Sequence, residues 1–207
     1  MRIDHVIYGT ADLDVAAARV EARLGLTAVA GGRHRGLGTH NRIVPLADGG
    51  FIELLAVADP EQAQRSSLGA ALQAANARGD GLFGWAVAVD DVRPVASRLG
   101  MTISTVGRQG MTARLTGVLE SLSEPGLPFF IERPAGHIAG RTGPPVANAG
   151  ARFTWLEVAV DAGRLSDWLG SAELPLRVVS GDAGVRAIGI GERELRTACM
   201  SDPRCPS

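Results

Sequence analysis

Apolar and polar residues alternate in short runs along most of this chain, and glycine, aspartate and proline separate the runs. Residues 3–8 (IDHVIY) have the two-residue rhythm of a half-buried strand. Over 13–24 the apolar spacing becomes helical, with Asp12 placed to cap the start and Gly25 to stop the end. Residues 26–30 read as a short strand and 31–41 (GGRHRGLGTHN) as a glycine-rich polar connection. Residues 42–46 read as a strand, Asp48-Gly49-Gly50 as a hairpin turn, and 51–57 (FIELLAV) as another strand. The order is β-α-β-β-β. Residues 59–81 then predict a connecting helix entered through Pro60.

The pattern restarts with a strand over 83–89, a helix over 92–99 capped by Asp90 or Asp91, and strands over 102–106, 113–118 and 128–131. A shorter third copy follows: strand 153–160, helix 162–169, and strands 174–179, 185–190 and 194–198. A repeat of this kind outranks local readings, because missing it mis-assigns the fold. The expected fold is α+β, built from tandem βαβββ modules. They are a first module over 1–57, a connecting helical segment over 58–82, a second module over 83–134 and a shorter third over 152–199. One module gives a sheet with a helix on its convex face. Two side by side curl into a trough where inward side chains converge. A third, odd module would cover the trough or pair with a second chain, which predicts a homodimer.

Composition narrows the chemistry. The chain has 207 residues, room for a real core, and a net charge of -1 gives no electrostatic case for nucleic acid or an anionic membrane. All 21 basic residues are arginine, which excludes a Schiff-base amine, a pyridoxal-phosphate anchor and a P-loop ammonium. Glycine, at 27 residues, is about twice its usual frequency and fits many tight turns. Cys199 and Cys205 sit together near the end and make no disulfide framework. The chain opens on a strand rather than a signal segment, and no apolar run is long enough to span a bilayer, so the expectation is cytoplasmic.

Candidate chemistry lies on the strands. His5 alternates with Ile3 and Ile7, so the three are expected on one face, and Glu53 alternates with Phe51 and Leu55. Polar groups on an inward apolar face need partners. In the second module Trp85 (or Gly84) takes the place of His5 and Glu132 that of Glu53. The separations are 48 residues in the first module and 47 in the second. One histidine and two carboxylates would suit Zn, Fe, Mn, Ni or Co. A two-histidine set would need His34 or His40, because His137 lies in a Pro/Gly-rich loop. Arg33, His34, Arg35, His40 and Asn41 offer donors to a substrate carboxylate or carbonyl.

Three strings, IDHVIYGTADLDVAAARVEARLG, GGRHRGLGTHNRIVPL and GGFIELLAV, resemble the vicinal oxygen chelate superfamily in its glyoxalase-like branch. The resemblance is strong over 1–57, thinner over 83–134 and faint beyond 150. It implies paired βαβββ modules around a divalent metal, with ligands from the first and fourth strands of each module. Carried over, these are His5, Glu53 and Glu132, and the fourth position, Trp85 or Gly84, cannot ligate. Glu53 or Glu132 would serve as catalytic base, while Arg33, His34, His40, Asn41 and Trp85 would contact substrate. The expected function is a metal-dependent lyase, isomerase or dioxygenase acting on a small oxygen-rich molecule. The alternative is a metal-free module that sequesters a hydrophobic or aromatic compound against Trp85.

Overall fold

In the computed structural model, which describes residues 1–108, 111–134 and 148–197, strand β1 (Arg2–Gly9) leads into helix α1 (Leu13–Leu24). The Asp12 carboxylate accepts from the N–H groups of Asp14 and Val15, and Gly25 ends the helix at φ 68°. Strands β2 (Val29–His34), β3 (Thr39–Pro45) and β4 (Phe51–Val57) follow.

The glycine-rich stretch is therefore mostly strand, not connection. Gly31 and Gly32 form an irregularity in the β2–β3 pairing, and the turn itself is confined to the residues around Gly36 (φ 77°) and Gly38 (φ 67°). A Cβ on Gly31 would lie 2.1 Å from the Asn41 side-chain oxygen and 2.3 Å from its backbone oxygen. Gly31→Ala is expected to cost about 1–3 kcal/mol by overpacking. Gly36→Ala, in open space, should cost about 1 kcal/mol for the left-handed backbone alone. Urea melts of the two variants check this, and equal costs would show that close approach is not what selects Gly31.

The connecting helix is broken in two, α2 (Pro60–Gln64) and α3 (Ser67–Asn76), because the Ser66 hydroxyl caps a fresh start by accepting from the Gly69 N–H. Next come β5 (Gly81–Ala88), α4 (Arg93–Leu99), β6 (Ile103–Arg108), β7 (Met111–Thr116), the unanticipated short helix α5 (Val118–Ser123), and β8 (Phe129–Glu132). Strands β1 to β8 form one mixed sheet in the order β2-β3-β4-β1-β5-β8-β7-β6. It is built as two matching halves. β1 runs parallel to β4, β5 runs parallel to β8, and the antiparallel β1–β5 pair joins the halves at the centre. The sheet curls into a half-barrel, as the tandem pattern predicts.

The remaining elements are β9 (Phe153–Ala159), α6 (Ala162–Leu169), β10 (Leu176–Val179), β11 (Gly184–Ile190) and β12 (Arg193–Arg196). Their order repeats β-α-β-β-β, but their pairing does not. The sheet order is β10-β9-β11-β12, with β9 parallel to β10 through the α6 crossover. In the first half the opening strand pairs in parallel with the fourth strand instead. The apolar face of this second sheet (Leu156, Val158, Ile188) joins Val6, Tyr8, Trp85 and Val87 in one core on the helix side of the large sheet. The apolar face of this third unit is thus buried within the chain, on the side of the large sheet away from the trough. Among the described residues no helix is long and apolar enough to cross a membrane.

Candidate functional site

On the other face of the large sheet, a smaller apolar cluster of Ile7, Leu55 and Leu72 is flanked by Val57, Phe83 and Phe129. Leu72 comes from α3, which thereby covers part of the trough. Polar groups gather beside this wall.

His5 is held from every side. Its ring stacks on Phe51, with centroids 4.6 Å apart, and meets the edge of Phe129 at 5.5 Å. Its Nδ1 lies 2.7 Å from Oδ2 of Asp4, its own chain neighbour. Consecutive residues of a regular strand point to opposite faces. Here the β1–β5 register shifts between Ile3 and His5, and that bulge brings the two side chains together. It also sends Ile3 into the helix-side core, away from the face shared by His5 and Ile7. Asp4 is fully buried and accepts two further bonds from Arg133, Nε to Oδ1 at 3.1 Å and Nη2 to Oδ2 at 2.7 Å. Burial alone would raise the Asp4 carboxyl, but the hydrogen bonds from His5 and Arg133 and the charge of Arg133 outweigh it. They hold the group well below the usual carboxylate range.

Glu53 stands opposite, one carboxylate between two imidazoles. Its Oε2 is 3.8 Å from His5 Nε2 and its Oε1 is 3.7 Å from His34 Nε2. Asn41 organises the second side. Its Oδ1 accepts from the Gly32 N–H at 2.8 Å, which fixes the amide, and its Nδ2 donates to Glu53 Oε1 at 2.5 Å and reaches His34 Nε2 at 3.3 Å. His34 Nδ1 is 2.9 Å from the Thr39 hydroxyl. The network therefore places a proton on His5 Nδ1 and makes His34 Nε2 an acceptor for the Asn41 amide. In the neutral His5 ring Nε2 then faces Glu53 Oε2 as a second acceptor, and none of the described residues donates into the gap between them.

The expected ligand set does not assemble. By parallel register Phe51 pairs with His5, as Phe129 pairs with Ala86, so the counterpart of Glu53 is Ile131 and not Glu132. Glu132 is one residue beyond that position, and one residue along a strand is a change of face. Glu132 lies with Phe130 on the helix side, where Oε2 accepts from the Val92 N–H at the start of α4 and Oε1 binds Arg114. The Arg114 guanidinium holds its carboxyl below the usual range. Glu132 thus shares the start of α4 with Asp91, whose Oδ1 accepts from the Arg93 N–H at 2.9 Å, and it does not face His5.

Trp85 is also displaced. It is fully buried in the helix-side core and donates from Nε1 to the Gly126 carbonyl at 3.0 Å, so it offers no face to the trough. Gly84, on the trough side, borders open space. His40 neighbours Asn41 along β3 and so points away from Glu53. Burial, then the charges of Arg33 and His34, hold its imidazole below its ordinary range. Arg33 is its cross-strand partner and lines a separate cavity of about 340 Å³ with His34, Arg35, Thr39 and Asp59. His137, Cys199 and Cys205 lie outside the described residues.

Among the described residues, no three His, Cys, Asp or Glu side chains form a ready-made metal set. The donors that face one another are His5 Nε2 and Glu53 Oε2, with His34 Nε2 behind the Asn41 amide. Imidazole and carboxylate are the right chemistry for a divalent ion, and a carboxylate behind a ligating histidine is the usual support for its ring. Asp4 and Arg133 escaped the sequence reading. The Asp-His dipeptide was visible in IDHVIY, but its significance depends on a bulge that no periodicity reveals.

A family model described as a glyoxalase-like domain matches residues 3–173. A comparison with curated proteins finds no match. Among solved structures, a hypothetical protein from Staphylococcus aureus superposes with a TM-score of 0.64 at 16% identity, covering 89% of this chain and 87% of that one. A variant of Streptomyces coelicolor methylmalonyl-CoA epimerase, in complex with 2-nitronate-propionyl-CoA, gives a TM-score of 0.47 at 21% identity over 65% of this chain and 99% of its own. The epimerase from Mycobacterium tuberculosis gives 0.46 at 21% identity over 64% and 86%. With the family model spanning most of its length, this chain belongs to the glyoxalase-like domain family.

Proposed function

We propose that the chain is an enzyme of the lyase or isomerase type. It moves a proton at a carbon beside a carbonyl in a small oxygen-rich substrate, with Glu53 as the base. The observation that carries this reading is the His5–Glu53 pair, whose facing acceptors stand 3.8 Å apart on a largely buried surface. That distance is too long for a hydrogen bond, and two facing acceptors repel unless a proton or a cation stands between them. Asn41 orients the Glu53 carboxylate through Oε1 and leaves Oε2 for the substrate. The wall of Ile7, Leu55 and Leu72 keeps water from the substrate's apolar side.

A divalent ion fits the same place. His5 and Glu53 would hold it in the free protein, with His34 the next donor, and the Glu53 carboxylate is a base only when it is not a ligand. When bound it would supply a Lewis acid that stabilises the oxyanion formed on proton loss. Glu132 has no part in this. The alternative of a metal-free sequestering protein loses the stacking residue that favoured it, because Trp85 is in the core.

Metal analysis of protein purified without an affinity tag tests the ion. The expected result is about one divalent ion per chain, removed by chelator with a fall in melting temperature. His5→Ala should lose it and Glu132→Ala should keep it. Loss in Glu132→Ala with full retention in His5→Ala would reverse the assignment.

A further inference from the structure

The packing of His5 leaves one thing undecided. Phe51 and Phe129 fix the plane of its ring, but a half-turn about the Cβ–Cγ bond keeps that plane and exchanges the ring edges. The acceptor at Asp4 Oδ2, 2.7 Å from Nδ1, selects one edge. Arg133 in turn fixes Asp4. It reaches back from just beyond β8, so the clamp joins the two halves of the large sheet, and it also sits 5.5 Å over the Phe51 ring.

We propose that Asp4, clamped by Arg133, is the positioning residue of the site. It holds the His5 proton on Nδ1 and so presents Nε2, as a lone pair, to the gap before Glu53. Asp4 is fully buried and bonded to Arg133, so it acts through His5. The inference rests on the reading of His5 and Glu53 as the working pair, but it concerns a state of the free protein and can fail by itself.

The test reads that state directly. Long-range ¹H–¹⁵N spectra of chelator-treated, histidine-labelled protein distinguish a protonated from an unprotonated ring nitrogen. In the unaltered protein the His5 proton is expected on Nδ1. Asp4→Ala takes away the acceptor at Nδ1, so the Nδ1–H form should lose its dominance. Co²⁺ titration of the same samples should show affinity about 10- to 100-fold weaker in Asp4→Ala. A merely structural Asp4 would change the melting temperature but not the tautomer.

A neutral His5 with its proton on Nε2 in the unaltered protein overturns the inference, and that measurement needs no variant to fold. An unchanged tautomer in a folded Asp4→Ala overturns it too. If the unaltered protein fails to bind Co²⁺, the metal in the proposed function falls, while the tautomer still decides the role of Asp4.

Discussion

Replacing Asp4 with alanine is expected to lower the free energy of unfolding at pH 7 by about 3 kcal/mol, the penalty for breaking a buried ion pair from one side. The carboxylate is fully buried and bonded to both His5 and Arg133, and its removal strands a guanidinium that is itself largely covered. The loss should depend on pH in a definite direction. The folded-state carboxyl is depressed below its unfolded value of about 3.9. A group of this kind stabilises fully above its unfolded value and loses that contribution as pH falls toward its folded one. The gap between the unaltered protein and Asp4→Ala should therefore be constant from pH 7 to about 5 and shrink below about 4. Urea unfolding at pH 7, 5 and 3.5 measures it. A gap that stays the same at pH 3.5 would mean that the contribution of Asp4 is packing, not charge.

The architecture was legible because it rests on local rules repeated twice. Asp12 and Gly25 bracket α1 as their residue types require, and 51–57 and 162–169 are the strand and helix that their periods predict. What failed was phase. A strand's faces alternate with period two, so the site depended on registers that spacing could not fix to within one residue. Glu53 and Asn41 came out on the trough face, whereas Glu132, Trp85 and His40 each came out on the other. The bulge at Asp4 is the same problem within a single strand. It moves Ile3 to the helix side and gives His5 a partner that regular alternation forbids. The pairing of β9 with β10 failed for a different reason. Element order repeats in the sequence, but whether an opening strand pairs with the second or the fourth strand is decided by which neighbour its helix crosses to reach.

Glu53→Gln should remove activity while leaving the protein folded, and the network around it explains why both are expected. Asn41 already donates to Oε1, so the glutamine carbonyl would settle there. The new NH₂ would then point across the gap to His5 Nε2, an acceptor with no donor in the native network. Every hydrogen bond is kept and a repulsion between two acceptors becomes an attraction, so in chelator-treated protein the melting temperature should hold or rise. The amide cannot take up a proton at neutral pH, which should slow the chemical step by about 10²- to 10⁴-fold. The assay follows from the proposed chemistry. Compounds with an acidic C–H beside a carbonyl that raise the melting temperature are incubated in D₂O, and deuterium uptake at that carbon is followed by NMR. Uptake catalysed by the unaltered protein and lost in a stable Glu53→Gln, with ligand binding retained, identifies Glu53 as the base. Uptake that survives in Glu53→Gln but not in His5→Ala would transfer that role to His5.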